Sequence, residues 1–203
     1  MPPADYPAQA PHAFDACAAL HSAAAPMGTY RFIALDVETA NSDAASICQI
    51  GLACVDMDNR IETWAIHVNP LVPFSRFNTQ LHGIDAVRVQ GAPSFAEVIA
   101  ELEPLLGRHH LIQHSSFDRR AIQGAYAALG RRAPAWIWGD SVKIARRAWP
   151  EFIGNGGHGL AHLKDRLQLS FEHHDAGEDA RAAALVVLHA EQRTQLQFKA
   201  LLA

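Results

Sequence analysis

The chain has 203 residues and a formal net charge of −4, from 17 Lys and Arg against 21 Asp and Glu. Its 49% hydrophobic and 19% charged fractions are those of a globular protein and exclude a disordered one. Without a run near 18 apolar residues no membrane-spanning helix is expected, and the acidic balance argues against gripping nucleic acid by bulk charge.

The charge is unevenly placed. Residues 1–107 hold 4 basic and 12 acidic side chains, whereas residues 108–147 hold 8 basic and 2 acidic ones. The basic stretch includes Arg119, Arg120, Arg131, Arg132, Lys143, Arg146 and Arg147. Most of these read as solvated helix faces, with one or two expected to meet phosphate. The cysteines are Cys17, Cys48 and Cys54. They form no C-x-x-C pair, which speaks against a zinc knuckle. A sparse, odd count fits a reducing compartment, and a cytoplasmic location is expected.

Residues 1–28 are rich in Ala and Pro and lack the basic head and apolar middle of a signal peptide. They read as an N-terminal arm, with a short helix between Phe14 and Ala25, ahead of one domain over 29–203. Tyr30–Val37 reads as a buried strand ending in carboxylates. Ile47–Asp56 follows as a second strand, Asp58-Asn59 as a tight turn, and Arg60–Val68 as a third strand by alternation. Three strands with short connections predict an antiparallel meander.

The period then changes. Ser94 and Glu97 form a capping box that opens a helix through Leu106, with Gly107 as its stop. His109–Gln113 reads as a short strand, in which His109 and His110 are expected to pack. Ser116–Leu129 reads as a helix, its apolar repeat including Phe117 and so placing that ring in the core. Trp136–Trp138 reads as a strand and Ser141–Ala148 as a short helix. Leu160, Leu163 and Leu167 mark another helix. Ala180, Ala183, Ala184, Val187 and Leu188 give a stripe at helical spacing. The order predicts an α/β fold built on a mixed sheet flanked by helices.

Asp36 and Glu38 stand two apart at the end of the first strand, so both side chains share one face of the sheet. Two carboxylates aimed at one place are unfavourable unless a cation neutralises them, although solvated strand ends often carry such a pair too. Asp118 follows in His114-Ser115-Ser116-Phe117-Asp118, where strand turns to helix and the helix dipole would also suit a carboxylate. Asp179 lies in His174-Asp175-Ala176-Gly177-Glu178-Asp179, at the head of the late helix and at the border of its stripe.

D-x-E-T, H-x-x-F-D and H-x-A-x-x-D in this order resemble the DEDDh 3′–5′ exonucleases, and most of all the epsilon proofreading subunit of bacterial DNA polymerase III and its stand-alone relatives. The likeness runs from about Tyr30 to Ala190, with further support from Ser46 to Gly51, Leu81-His82-Gly83-Ile84 and His158-Gly159-Leu160. It implies a ribonuclease H-like five-stranded sheet, an antiparallel meander first and parallel strands after it. It also implies a two-metal 3′–5′ exonuclease that releases nucleoside 5′-monophosphates from DNA, at a single-stranded or frayed 3′ end. Two Mg²⁺ or Mn²⁺ ions would be held by Asp36, Glu38, Asp118 and Asp179, since oxygen-only ligands suit hard cations. By resemblance Asp36 bridges the ions, Glu38 and Asp179 serve the one that binds the attacking water, and Asp118 serves the other.

By the same resemblance the general base is a histidine five residues before the last carboxylate, which implies His174 over the adjacent His173, and imidazole suits proton transfer near neutral pH. Thr39, His82, Ile84 and Ser115 are expected to meet substrate. The family pattern has Asn where Ser115 stands, a change bearing on substrate positioning. Association with a DNA polymerase is a further implication. Two other readings stay open: an exoribonuclease of the same fold, since the contacts to a 2′-OH are not legible, and a catalytically silent binding module, disfavoured because all five motif residues are present.

Overall fold

In a computed structural model the described residues are 24–154, 156–169 and 174–203. The arm is thus described only from Ala24, where Ala24 and Ala25 are not helical; the rest of the Phe14–Ala25 helix lies outside these residues. Five strands form one sheet: β1 (Phe32–Thr39), β2 (Ile47–Val55), β3 (Ile61–His67), β4 (His110–Gln113) and β5 (Ile137–Asp140), in the order β3-β2-β1-β4-β5. The pairs β1–β2 and β2–β3 are antiparallel, while β1–β4 and β4–β5 are parallel. This is the expected ribonuclease H-like order, with the meander first. The turn at Asp58-Asn59 is tied by Asp56, whose carboxylate accepts from the amides of Asp58 and Arg60, both at 2.8 Å.

The helices are α1 (Arg76–His82), α2 (Phe95–Leu106), α3 (Phe117–Ala128), α4 (Ser141–Ala148), α5 (Leu160–Leu167), α6 (Ala176–Thr194) and α7 (Phe198–Leu202), with a 3₁₀ turn at Pro150–Phe152. Ser94 and Glu97 close the capping box that opens α2. Gly107 ends α2 in a right-handed conformation, φ −67°, so its freedom to turn left-handed is not what stops the helix. Helix α1 was not expected; Leu81 and His82 form its last turn, which Gly83 ends at φ 73°. Phe77 and Leu81 stand four apart on α1, yet both are exposed and no residue of the helix is buried.

The period of two on β1 separates two cores. Phe32 and Ala34 face α6, together with Ala53, Val55 and Ile61. Ile33, Leu35 and Val37 face α2 and α3. Cys48 and Cys54 are free and buried, as small apolar residues should be. His109 also packs: its Nδ1 donates to the Leu105 carbonyl at 2.7 Å, and its Nε2 accepts from the Tyr30 amide at 3.0 Å.

Helix α6 departs from a one-sided stripe. Every residue from Asp179 to Leu188 is buried, because the helix lies on β1 and β2 and is covered by α4, α5 and α7. Small residues permit this approach. A Cβ on Gly51 would lie 2.0 Å from the carbonyl carbon of Ala176, and one on Gly177 would lie 3.1 Å from Ala65 Cβ. Among the described residues, no helix is long and apolar enough to cross a membrane.

Candidate active site

The parity that sends Phe32 and Ala34 toward α6 sends Asp36 and Glu38 there too. Strand β1 runs on to Thr39, two residues beyond the expected end, so both carboxylates stand on paired strand, with a register shift just after Glu38. Asp118 arrives from the opposite face, in the first turn of α3. Its Oδ1 accepts from the Val37 amide at 3.2 Å, which pins it against β1 between the other two. Asp179 comes from the first turn of α6. Its Oδ2 accepts from the backbone N–H of His174 at 2.9 Å.

Candidate ligand atoms of Glu38, His174 and Asp179 all lie within 4.8 Å of one another. Glu38 is 9%, Asp118 2% and Asp179 7% exposed, so three carboxylates are nearly out of water. Burial first, then the charges of Asp118, Asp179 and Glu38, push the Asp36 carboxyl well above the ordinary carboxylate range. Burial, then Asp179 and Asp118, lift Glu38 to about 8. Burial lifts Asp118 to about 7, against two backbone hydrogen bonds that pull it down. Such a cluster is costly as bare anions. An all-oxygen set of carboxylates fits hard divalent cations, which would remove that cost.

His174 has φ 69° and is exposed. It immediately precedes Asp175, the N-cap of α6, whose Oδ1 accepts from the amides of Gly177 at 3.0 Å and Glu178 at 3.1 Å. Asp175 Oδ2 accepts from Gln49 Nε2 at 2.9 Å, and Gln49 Oε1 accepts from the Ala176 amide at 3.1 Å. Asp175 thus adds a fifth carboxylate to the region, with its oxygens engaged by the scaffold. Neither Gln49 nor Asp175 was singled out from the sequence. D-A-G-E-D is a readable N-cap, but its partner on β2 is not readable from spacing. His173 lies outside the described residues.

The expected substrate residues divide. Thr39 is 6% exposed, and its carbonyl accepts from Asn78 Nδ2 at 2.8 Å and lies 3.1 Å from His82 Nε2. His82 Nδ1 accepts from the Ile84 amide at 3.0 Å. With that nitrogen accepting, Nε2 is the one that donates to Thr39. Burial holds the His82 imidazole below its ordinary value, and His174 adds to this. His82 therefore ties α1 to the end of β1 with both ring nitrogens. Ile84 is 3% exposed and packs with Ala40, Cys48 and Val89, so its side chain is in the core and not on the site's open side. Ser115 is exposed, with φ 88°. Phe117, placed in the core by its repeat, is instead 36% exposed, with Arg120 over its ring at 6.0 Å. It is the first residue of α3, where no preceding turn covers it.

Comparison with known proteins agrees with this geometry. A family model described as Exonuclease (RNase T) matches residues 33–187. DNA polymerase III PolC-type of Streptococcus mutans is 29% identical over 160 residues, 77% of this chain and 11% of the relative. The PolC-type polymerase of Streptococcus agalactiae is 30% identical over 155 residues, 74% of this chain and 10% of the relative. The chain therefore spans about a tenth of these relatives' length. Exonuclease X in complex with 5′-overhanging duplex DNA superimposes with TM-score 0.65 at 22% identity, covering 84% of this chain and 97% of that one. Escherichia coli Exonuclease I in complex with a dA16 oligonucleotide gives TM-score 0.70 at 18% identity, covering 82% and 42%. The nuclease domain of 3′hExo, a DEDDh family member bound to rAMP, gives 0.66 at 16%, covering 80% and 92%. With its family model spanning most of the domain and the five DEDDh motif residues gathered at one end of the sheet, the chain belongs to the exonuclease family of RNase T.

Proposed function

We propose that the chain is a divalent-metal-dependent 3′–5′ exonuclease that acts on DNA, with His174 as general base. The observation that carries this reading is the approach of Glu38, His174 and Asp179 to within 4.8 Å beside the half-buried Asp36 and the buried Asp118. Asp36, Glu38, Asp118 and Asp179 would hold two Mg²⁺ or Mn²⁺ ions, which supply charge neutralisation and polarisation of the scissile phosphate.

The chain's own residues do the rest. Val37 N–H holds the Asp118 carboxylate against β1, and His174 N–H holds that of Asp179. Both carboxylates are oriented before any ligand arrives, which lowers the cost of assembling the site. The His174 side chain stands at the exposed edge of the cluster, where it can take a proton from the attacking water and pass it to solvent. The Thr39 backbone, fixed by Asn78 and His82, gives the strand end a rigid wall beside the carboxylates.

DNA is favoured because the curated relatives are DNA polymerases. Their matching segment lies within a much longer chain, which supports work beside a polymerase. The test is parallel digestion of 5′-labelled single-stranded DNA, mismatched duplex and RNA, with the His174→Ala protein as control. Stepwise shortening of DNA from the 3′ end, dependent on Mg²⁺ or Mn²⁺, is expected. Preferential shortening of RNA would replace DNA as substrate, and no shortening of any strand with either metal would leave a silent binding module.

A further inference from the structure

A groove of about 650 Å³ runs along the outer side of α3 and is closed by the segment leading into β5. Its helical wall carries Arg119 and Gln123, four residues apart, with Ala127 a further four on. Arg131 and Arg132 continue the wall past the helix end, and Trp136 and Trp138 stand opposite. None of the lining residues is acidic. Arg131 is engaged by Glu103 at 2.7 Å. Arg119 and Arg132 are exposed and make no ion pair among the described residues. Trp136 and Trp138 are half-buried, with ring centroids 6.4 Å apart.

We infer that this groove binds the upstream nucleotides of a single strand whose 3′ end lies at the carboxylate cluster. The inference rests on the exonuclease reading for its direction. Arg119 follows Asp118 directly in the first turn of α3, and its amide donates to Gln113 Oε1 at 3.0 Å, so its end of the groove is the one nearer the carboxylates. The three helical positions span about 12 Å along the axis, room for about three or four stacked nucleotides. Guanidinium groups without an internal carboxylate answer phosphate, and partly exposed indoles answer base faces, the pairing that single-strand readers use. An acidic protein segment would satisfy the arginines but would leave the indoles without planar partners.

The test is fluorescence anisotropy with 5′-fluorescein-labelled dT12 and the protein in EDTA, so that binding is read without catalysis. The Arg119→Ala/Arg132→Ala double variant is expected to bind roughly tenfold or more weakly, and its log Kd against log salt slope is expected to fall by about 1.4, the loss of two phosphate contacts on a single strand. Hydrolysis of the p-nitrophenyl ester of thymidine 5′-monophosphate, which reaches the cluster but not the groove, should be unchanged in the variant. Equal affinity and slope in wild type and variant overturn the proposal. Loss of ester hydrolysis in a variant with a native circular dichroism spectrum also overturns it, because the arginines would then act at the cluster. Wild-type protein that binds dT12 through the arginines but cleaves neither ester nor oligonucleotide upholds the groove and refutes only the exonuclease reading.

Discussion

Gln49 on β2 and Asp175 at the head of α6, 126 residues apart in the chain, meet at 2.9 Å. The same amide side chain accepts from the Ala176 N–H at 3.1 Å. Gln49 is 2% exposed and faces α6 with Gly51, so it fastens the helix that brings Asp179 and His174 to the site. Gln49→Leu keeps the volume and removes both bonds. It should destabilise the protein by about 1.5–3 kcal/mol and reduce turnover by about 10²-fold, the scale of a 1 Å misplacement. Urea unfolding with digestion assays checks this; full turnover at reduced stability would restrict Gln49 to a structural role.

Gly51 sets the distance that Gln49 locks. A Cβ there meets the Ala176 carbonyl oxygen at 2.0 Å and the Gly177 nitrogen at 2.3 Å, so backbone must move. Gly51→Ala is expected to cost about 1–3 kcal/mol and to shift α6, and with it Asp179. Thermal melting reads the first effect, and Mn²⁺ calorimetry reads the second as weakened binding.

His174→Ala should lower turnover by about 10²–10⁴-fold, the usual worth of a general base, while the backbone N–H that holds Asp179 stays. The variant should therefore still bind Mn²⁺ and melt close to wild type. His173→Ala should be nearly silent; the reverse order of effects would move the base to His173.

The carboxylate cluster couples stability to pH and to metal. Burial raises Glu38 to about 8 and Asp118 to about 7, so the folded protein holds protons that the unfolded chain has released. The stabilisation is complete below the ordinary carboxylate pKa and is lost as pH rises through about 7 and 8. Metal-free protein should melt at lower temperature at pH 8 than at pH 5, and Mn²⁺ should raise the melting temperature more at pH 8. Asp36→Asn should remove activity and flatten the metal-free pH dependence. A melting temperature that climbs from pH 5 to 8 without metal would contradict the repulsion.

Ser115 occupies a left-handed position, φ 88°, where strand β4 turns into α3. L-residues pay about 1–2 kcal/mol there, and Asn is tolerated better than Ser. Ser115→Asn, which restores the family's residue, should stabilise by a few tenths to about 1 kcal/mol without loss of turnover, measured by urea unfolding and digestion.

The sequence by itself determined the antiparallel meander of the first three strands, the capping box at Ser94, the helices α4 and α5, and the five motif residues. Each is carried by a local period, a cap or a short ordered motif. The face shared by Asp36 and Glu38 followed from strand geometry alone. The tertiary structure decided the remainder. Phe117 left the core because the first residue of a helix has no preceding turn to pack under. Ile84 entered the core because the chain after α1 brings it against Ala40, Cys48 and Val89. Helix α6 became buried all round because Gly51 and Gly177 let it settle onto β2 and β3. The pairing of Gln49 with Asp175 and the groove between α3 and Trp138 join segments far apart in the chain. Such contacts depend on how layers pack, and no period within one segment carries that information.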